Sequence, residues 1–206
     1  MSLKSLFSAA VKALRQADVP FAVAGGFAAE LYRAEPRLTM DIDLAILSDE
    51  SEARAREVLE SIGLHAGVSR KADLDGGPLF AIKAKNTPAC LVVGRPKAKQ
   101  TGEGVDILLP GLPWVPTAVE RAQLNQVDYG FGSVPVLTLE DLILSKLYAL
   151  MAHPPRAKDM DDLQSVHAAG HEVDSAYLSG KAQEYGIRLP KSVKPFIPSL
   201  YWDWVR

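Results

Sequence analysis

The chain has 206 residues, 48% of them hydrophobic and 23% charged, with a formal net charge of -2. Those values exclude bulk disorder and a generally basic nucleic-acid-binding surface, and the length suits one large domain or a catalytic domain with a smaller helical one. The single cysteine, Cys90, excludes an internal disulfide; no apolar run is long enough to span a membrane and no signal peptide is read, so a cytoplasmic protein is expected.

In chain order, Leu3, Leu6, Phe7, Ala10, Val11 and Leu14 recur at helical spacing and predict an amphipathic helix ending before Val19-Pro20. Val19 to Ala24 is apolar enough for a buried strand. Gly25-Gly26 then falls where that strand must turn into a helix carrying Ala28, Ala29 and Leu31. Without side chains, backbone N–H groups there can approach an anion closely, and the helix dipole favours one, so a triphosphate would fit. A plain strand-to-helix turn would use the same two glycines.

A loop with Arg37 and Thr39 leads into MDIDLAIL. Alternation from Met40 puts Ile42, Leu44 and Ile46 on one face and Asp41, Asp43 and Ala45 on the other. Side chains at i and i+2 on a strand are roughly 6.5 to 7 Å apart. Two such acids can grip a pair of divalent cations about 3.5 to 4 Å apart, the geometry of metal-assisted phosphoryl or nucleotidyl transfer. The alternative is the solvated face of an edge strand, against which stands the depletion of Asp in strands. Thr39 either orients a phosphate oxygen or metal ligand, or is a plain loop hydroxyl.

Ser48 or Asp49 can cap a helix from about Glu50 to Ile62 that Gly63 stops. Leu79 to Lys85 and Ala89 to Val93 read as strands joined at Asn86-Thr87-Pro88. Gly104 to Leu109 reads as another, with Val105 and Ile107 facing one way and Asp106 the other. A carboxylate on a later neighbouring strand is the third member that a two-metal arrangement needs; an exposed strand position is the alternative. The basic stretch Arg95-Pro96-Lys97-Ala98-Lys99 can neutralise a phosphate or steer RNA, or serve as a solvated connector.

Pro110, Pro113 and Pro116 mark a boundary, giving a catalytic domain over 1–112 and a mostly helical lobe over 113–206. Within the lobe a short helix is expected near Thr117 to Gln126 and a strand near Phe131 to Leu137. A longer helix starts at Thr138, where Glu140 and Asp141 suit the dipole. Its apolar arc of Leu139, Leu142, Ile143, Leu147 and Leu150 has Lys146 in the middle, and a buried ammonium needs a partner or an exit to water. On the following helix Asp159 lies inside the arc set by Leu163 and Val166, Asp162 at its margin, and Asp161 away. Lys146 and Asp159 are natural partners; alternatively both line a cleft. Val173 to Tyr185 reads as a last helix before Pro190, Pro195 and Pro198. Tyr201, Trp202 and Trp204 are either a hydrophobic latch or a partner-binding edge. His65, His153, His167 and His171 show no metal-ligand spacing.

Gly25-Gly26, then Arg37 and Thr39, then Asp41-Ile42-Asp43-Leu44 resembles the GG…(R)xTxDID signature of the DNA polymerase β-like nucleotidyltransferase superfamily. Aminoglycoside and lincosamide nucleotidyltransferases share a similar segment. EDLxxxK around Lys146, followed by RxKDxxDL from Arg156 to Leu163, is similar to the C-terminal motifs of the AbiEii-type group, which includes toxin halves of type IV toxin-antitoxin pairs. The resemblance implies an α/β fold: a twisted mixed sheet carrying the acids, flanked by helices, with a small helical C-terminal lobe. It implies that Asp106 is the third catalytic acid beside Asp41 and Asp43, that Lys146 contacts nucleotide phosphate and that Asp159 helps order the site.

On this reading two Mg²⁺ ions on Asp41, Asp43 and Asp106 promote in-line attack on the α-phosphorus of an NTP and release of pyrophosphate. The Gly25 and Gly26 amides, Arg37 and Lys146 hold the β and γ phosphates. The acceptor is RNA or protein, with an antitoxin as partner, or a small molecule such as an antibiotic; a catalytically silent nucleotide-binding protein is the third reading.

Overall fold

A computed structural model describes residues 2–70, 88–96, 103–152 and 155–203. The strand expected over Leu79 to Lys85, the turn residues Asn86 and Thr87, the lysines of the 95–99 stretch, His153 and Trp204 lie outside those residues. The chain forms two compact units: Met1–Phe27 with Leu38–Leu137, and Ala28–Arg37 with Thr138–Arg206. The boundary read from the prolines, after Leu112, lies inside the first of them.

The first unit is built on a five-stranded mixed sheet. Its strands are β1 (Phe21–Val23), β2 (Asp41–Ile46), β3 (Leu64–Arg70), β4 (Ala89–Pro96) and β5 (Gly104–Leu108), in the order β1-β2-β5-β4-β3. Only β2 and β5 run parallel, in the register Asp41↔Gly104, Asp43↔Asp106, Ala45↔Leu108; the other neighbours are antiparallel. The alternation read from Met40 holds: Ile42, Leu44 and Ile46 are fully buried, while Asp41 and Asp43 are half-buried. Val105 and Ile107 of β5 and Val92 of β4 bury their side chains likewise.

Helix α1 (Leu3–Gln16) buries Leu6, Phe7, Ala10, Val11 and Leu14, the stripe read from its spacing apart from the half-buried Leu3, and the Ser2 hydroxyl accepts from the Ser5 amide at its start. Helices α3 (Ser51–Ser61) and α4 (Val115–Ala122) add further apolar cover to the sheet. In place of one strand over Phe131 to Leu137 there is a hairpin, β6 (Gln126–Asp128) with β7 (Ser133–Pro135). Asp128 accepts from the Gly130 and Gly132 amides to hold its turn. Phe7, Phe27, Tyr129 and Phe131 cluster there with ring centroids 5.0 to 6.3 Å apart, mostly tilted or edge-on, with Tyr129 and Phe131 stacked.

The second unit is helical: α5 (Leu139–Ala152), α6 (Ala157–Ala168), α7 (Ser175–Glu184), and short 3₁₀ turns at Lys194–Phe196 and Ser199–Tyr201. Thr138 caps α5, its hydroxyl bonded to Asp141 at 2.8 Å, and Tyr177 of α7 donates to the same carboxylate at 2.7 Å. Tyr201 packs edge-on against His167, and burial pushes its hydroxyl pKa up to about 12. Trp202 donates its indole N–H to the Ile197 carbonyl, so these two aromatics pack as a latch within their own unit.

Candidate active site

The five-residue helix α2 (Gly25–Ala29) follows β1 directly. The Ala24 amide donates to the Asp43 carbonyl at 2.8 Å, continuing the β1–β2 pairing into the turn. Gly25 has φ +57°, and a Cβ placed on it would overlap the Asp43 carboxylate. An L-residue is therefore disfavoured twice, by backbone conformation and by the side chain packed against it. The sequence suggested a glycine that lets an anion come close to backbone. Within the fold the anionic group against Gly25 is the protein's own Asp43.

Asp43 and Asp106 are register partners on the parallel pair β2–β5, so their side chains leave the same face of the sheet, and Asp41 shares that face two residues earlier. The three acids expected to converge are thus neighbours on one surface. Arg95, near the end of β4, lies among them. Its Nη1 donates to Asp106 Oδ1 at 2.5 Å, Nη2 lies 3.3 Å from Asp106 Oδ2, and Nη2 stands 3.6 Å from Asp41 Oδ1.

Burial drives the Asp106 pKa upward, and the nearby Asp41 charge adds to the rise; Arg95 offsets it only in part, leaving the carboxyl above the usual aspartate value. Burial would lower the pKa of Arg95, but Asp106, with Asp41 and Asp43 adding charge, outweighs it and holds the guanidinium firmly protonated. The donor chemistry fits a hard divalent cation: carboxylate oxygens, with positive charge already drawn between two of them. Among the described residues no three His, Cys, Asp or Glu side chains are grouped to hold a metal ion as they stand. Asp43 is turned to Gly25, and Asp106 is engaged by Arg95.

The second unit holds a buried charge cluster. Asp162, 1% exposed, receives Arg33 at 2.6 Å, Lys146 at 2.6 Å, and a two-pronged contact from Arg37 at 2.7 and 2.9 Å. Lys146 also donates to Asp159 at 2.8 Å, and Arg156 closes on the other Asp159 oxygen. Arg33 further contacts the exposed Asp161 at 2.9 Å.

For Lys146, burial works to lower the pKa, but the charges of Asp159 and Asp162 outweigh it and the ammonium is held charged. Asp162 is pulled below its ordinary range although burial opposes this, because Arg37 and Lys146 both bond to it. The segment Ala28–Arg37 that supplies the arginines is tied to α6: the Ala34 amide bonds to the Ser165 carbonyl and the Glu35 amide to its hydroxyl. Of the expected pair, Lys146 and Asp159 do meet. The hub is Asp162, read from the sequence as marginal, and Arg33 and Arg95 were not singled out for these roles.

The model of the family described as "Nucleotidyl transferase AbiEii toxin, Type IV TA system" matches residues 10–190, spanning both the acidic strand pair and the charge cluster. The chain belongs to this family. It is therefore a nucleotidyltransferase, as the GG…DID segment and the Lys146 and Asp159 motifs led one to expect.

Three solved structures are similar over most of their length. They are an antigenic nucleotidyltransferase-like protein from Paracoccidioides brasiliensis, 14% identical with TM-score 0.48, covering 98% of this chain and 96% of that one; the antibiotic-resistance factor ANT(2'')-Ia, 18% identical with TM-score 0.45, covering 88% and 96%; and a nucleotidyltransferase from H. pylori described as putative in its own name, 16% identical with TM-score 0.46, covering 98% and 81%. Among curated proteins none matches the sequence. No helix among the described residues is long and apolar enough to cross a membrane.

Proposed function

We propose that this AbiEii-family chain is a magnesium-dependent enzyme that moves a nucleoside monophosphate from an NTP to a hydroxyl or phosphate group of RNA or protein, acting as a toxin restrained by an antitoxin. The observation that carries the reading is the register pairing of Asp43 with Asp106, with Asp41 on the same face. Asp41, Asp43 and Asp106 would hold the divalent ions, which when bound supply charge stabilisation to the departing pyrophosphate and acidify the acceptor hydroxyl.

The chain's own residues prepare this surface. Gly25 leaves the room that fixes the Asp43 carboxylate, and Thr39 lies just before β2 to orient an oxygen ligand. Gly26 lies beside Gly25 at the start of α2, and we assign its backbone amide to nucleotide phosphate. Arg37, with 18% of its side chain exposed against 5% for Arg33 and 7% for Lys146, is the most accessible of the three cations bonded to Asp162, and we assign it to nucleotide phosphate. Lys146 and Asp159, each only 7% exposed, shape the position of Arg37 through the shared Asp162, and any phosphate contact by Lys146 is secondary.

The acceptor is found by incubating the chain with each α-labelled NTP, Mg²⁺ and, separately, cellular RNA, cellular protein or aminoglycoside antibiotics. Label on RNA or protein supports the reading. Label only on a small molecule would replace the acceptor, and nucleotide binding with no label anywhere would leave a silent member of the family.

A further inference from the structure

Arg95 is placed by the fold with some care. The antiparallel register Val93↔Asp106 and Gly94↔Val105 brings the end of β4 alongside the start of β5, where Gly104 pairs in turn with Asp41 on β2. A Cβ placed on Gly104 would overlap the Arg95 side chain and the Gly94 carbonyl, so the glycine leaves the channel through which the guanidinium reaches the acids. From there Arg95 is anchored to the Gly94 carbonyl at 3.0 Å, forks onto both oxygens of Asp106 and extends toward Asp41. Only 22% of its side chain is exposed, against 17% for Asp106.

A carboxylate gripped by both prongs of a guanidinium has one lone pair of each oxygen committed, and a fixed positive charge a few Å away repels a second cation. We propose that Arg95 is a resident counter-cation of the acidic surface, competing with the divalent ion for Asp41 and Asp106, so that metal enters as the guanidinium leaves. This rests on reading those acids as metal ligands. The resting enzyme is thereby kept poorly metallated, and a nucleotide, whose phosphates offer Arg95 another anion, promotes metal entry.

The test is Mn²⁺ binding to the nucleotide-free full chain, followed by the loss of the free-ion paramagnetic resonance signal. R95Q keeps the size and polarity of the side chain but removes its charge, and should bind Mn²⁺ about tenfold more tightly than the parent. R95K keeps the charge without the fork and should fall between them; it carries the test if R95Q does not fold. D43N defines which binding belongs to this surface. D43N-sensitive binding that is equal or weaker in R95Q and R95K overturns the role of Arg95 alone. If no variant shows D43N-sensitive binding, the metal-ligand reading falls and this proposal with it.

Discussion

Replacing Lys146 with methionine keeps most of the apolar stem on α5 but deletes the ammonium that bonds to Asp159 at 2.8 Å and Asp162 at 2.6 Å. Breaking a buried pair from one side costs about 3 to 5 kcal/mol because it strands an opposite charge away from water. The low end applies here, since Asp162 keeps Arg33 and Arg37 and Asp159 keeps Arg156. A loss of about 3 kcal/mol, divided by a urea dependence of roughly 2 kcal/mol per molar, moves the unfolding midpoint down by about 1.5 M. Urea titration followed by far-ultraviolet circular dichroism reads this directly. Adding Asp159→Asn to Lys146→Met should cost less than the sum of the separate changes, because each removes the other's stranded partner. A midpoint within about 0.5 M of the parent, together with weakened NTP binding, would refute the structural account and return Lys146 to direct phosphate contact.

Gly25→Ala should be poorly tolerated: the positive φ alone costs about 1 to 2 kcal/mol, and the overlap with Asp43 adds to it, so thermal melting should fall by several degrees and transfer activity with it. Acid sensitivity follows from Asp162, whose pKa in the fold lies below the ordinary 3.8. Its contribution is fully present above that unfolded value and drains away as pH falls through the folded one, so the parent should lose stability more steeply than Asp162→Asn below about pH 4. Melting curves of the two across that range that ran parallel would contradict the assignment.

The parts of this fold that were legible from sequence are those where burial imposes a period. Ile42, Leu44 and Ile46 alternate because one face of β2 is core, and this fixed the common direction of Asp41 and Asp43 before any partner strand was known. Lys146 was conspicuous because it interrupts an apolar arc. Strand β3 was missed for the complementary reason: among the described residues LHAGVSR pairs only with β4, and its mixed polarity carries no clean alternation.

The charged partners were invisible for a different reason. Asp162 is joined to Arg33 and Arg37 across 129 and 125 residues of chain, a closure that no local pattern announces. Arg95 looked like part of a basic loop because it precedes Pro96 and two lysines; only the β4–β5 register turns its side chain onto Asp106. Gly25 was legible as special, while its packing against Asp43 was not. An anion pocket and a close-packed carboxylate demand the same missing Cβ, and sequence cannot tell them apart.

The central claim is tested most directly by following NTP labelled on either the α or the γ phosphate, with magnesium and an accepting cellular fraction, using the parent chain and Asp43→Asn. The account predicts that only the α label moves to the acceptor, with pyrophosphate released, and that Asp43→Asn abolishes the transfer while leaving the melting curve in place. Movement of the γ label, or undiminished transfer by Asp43→Asn, would contradict it.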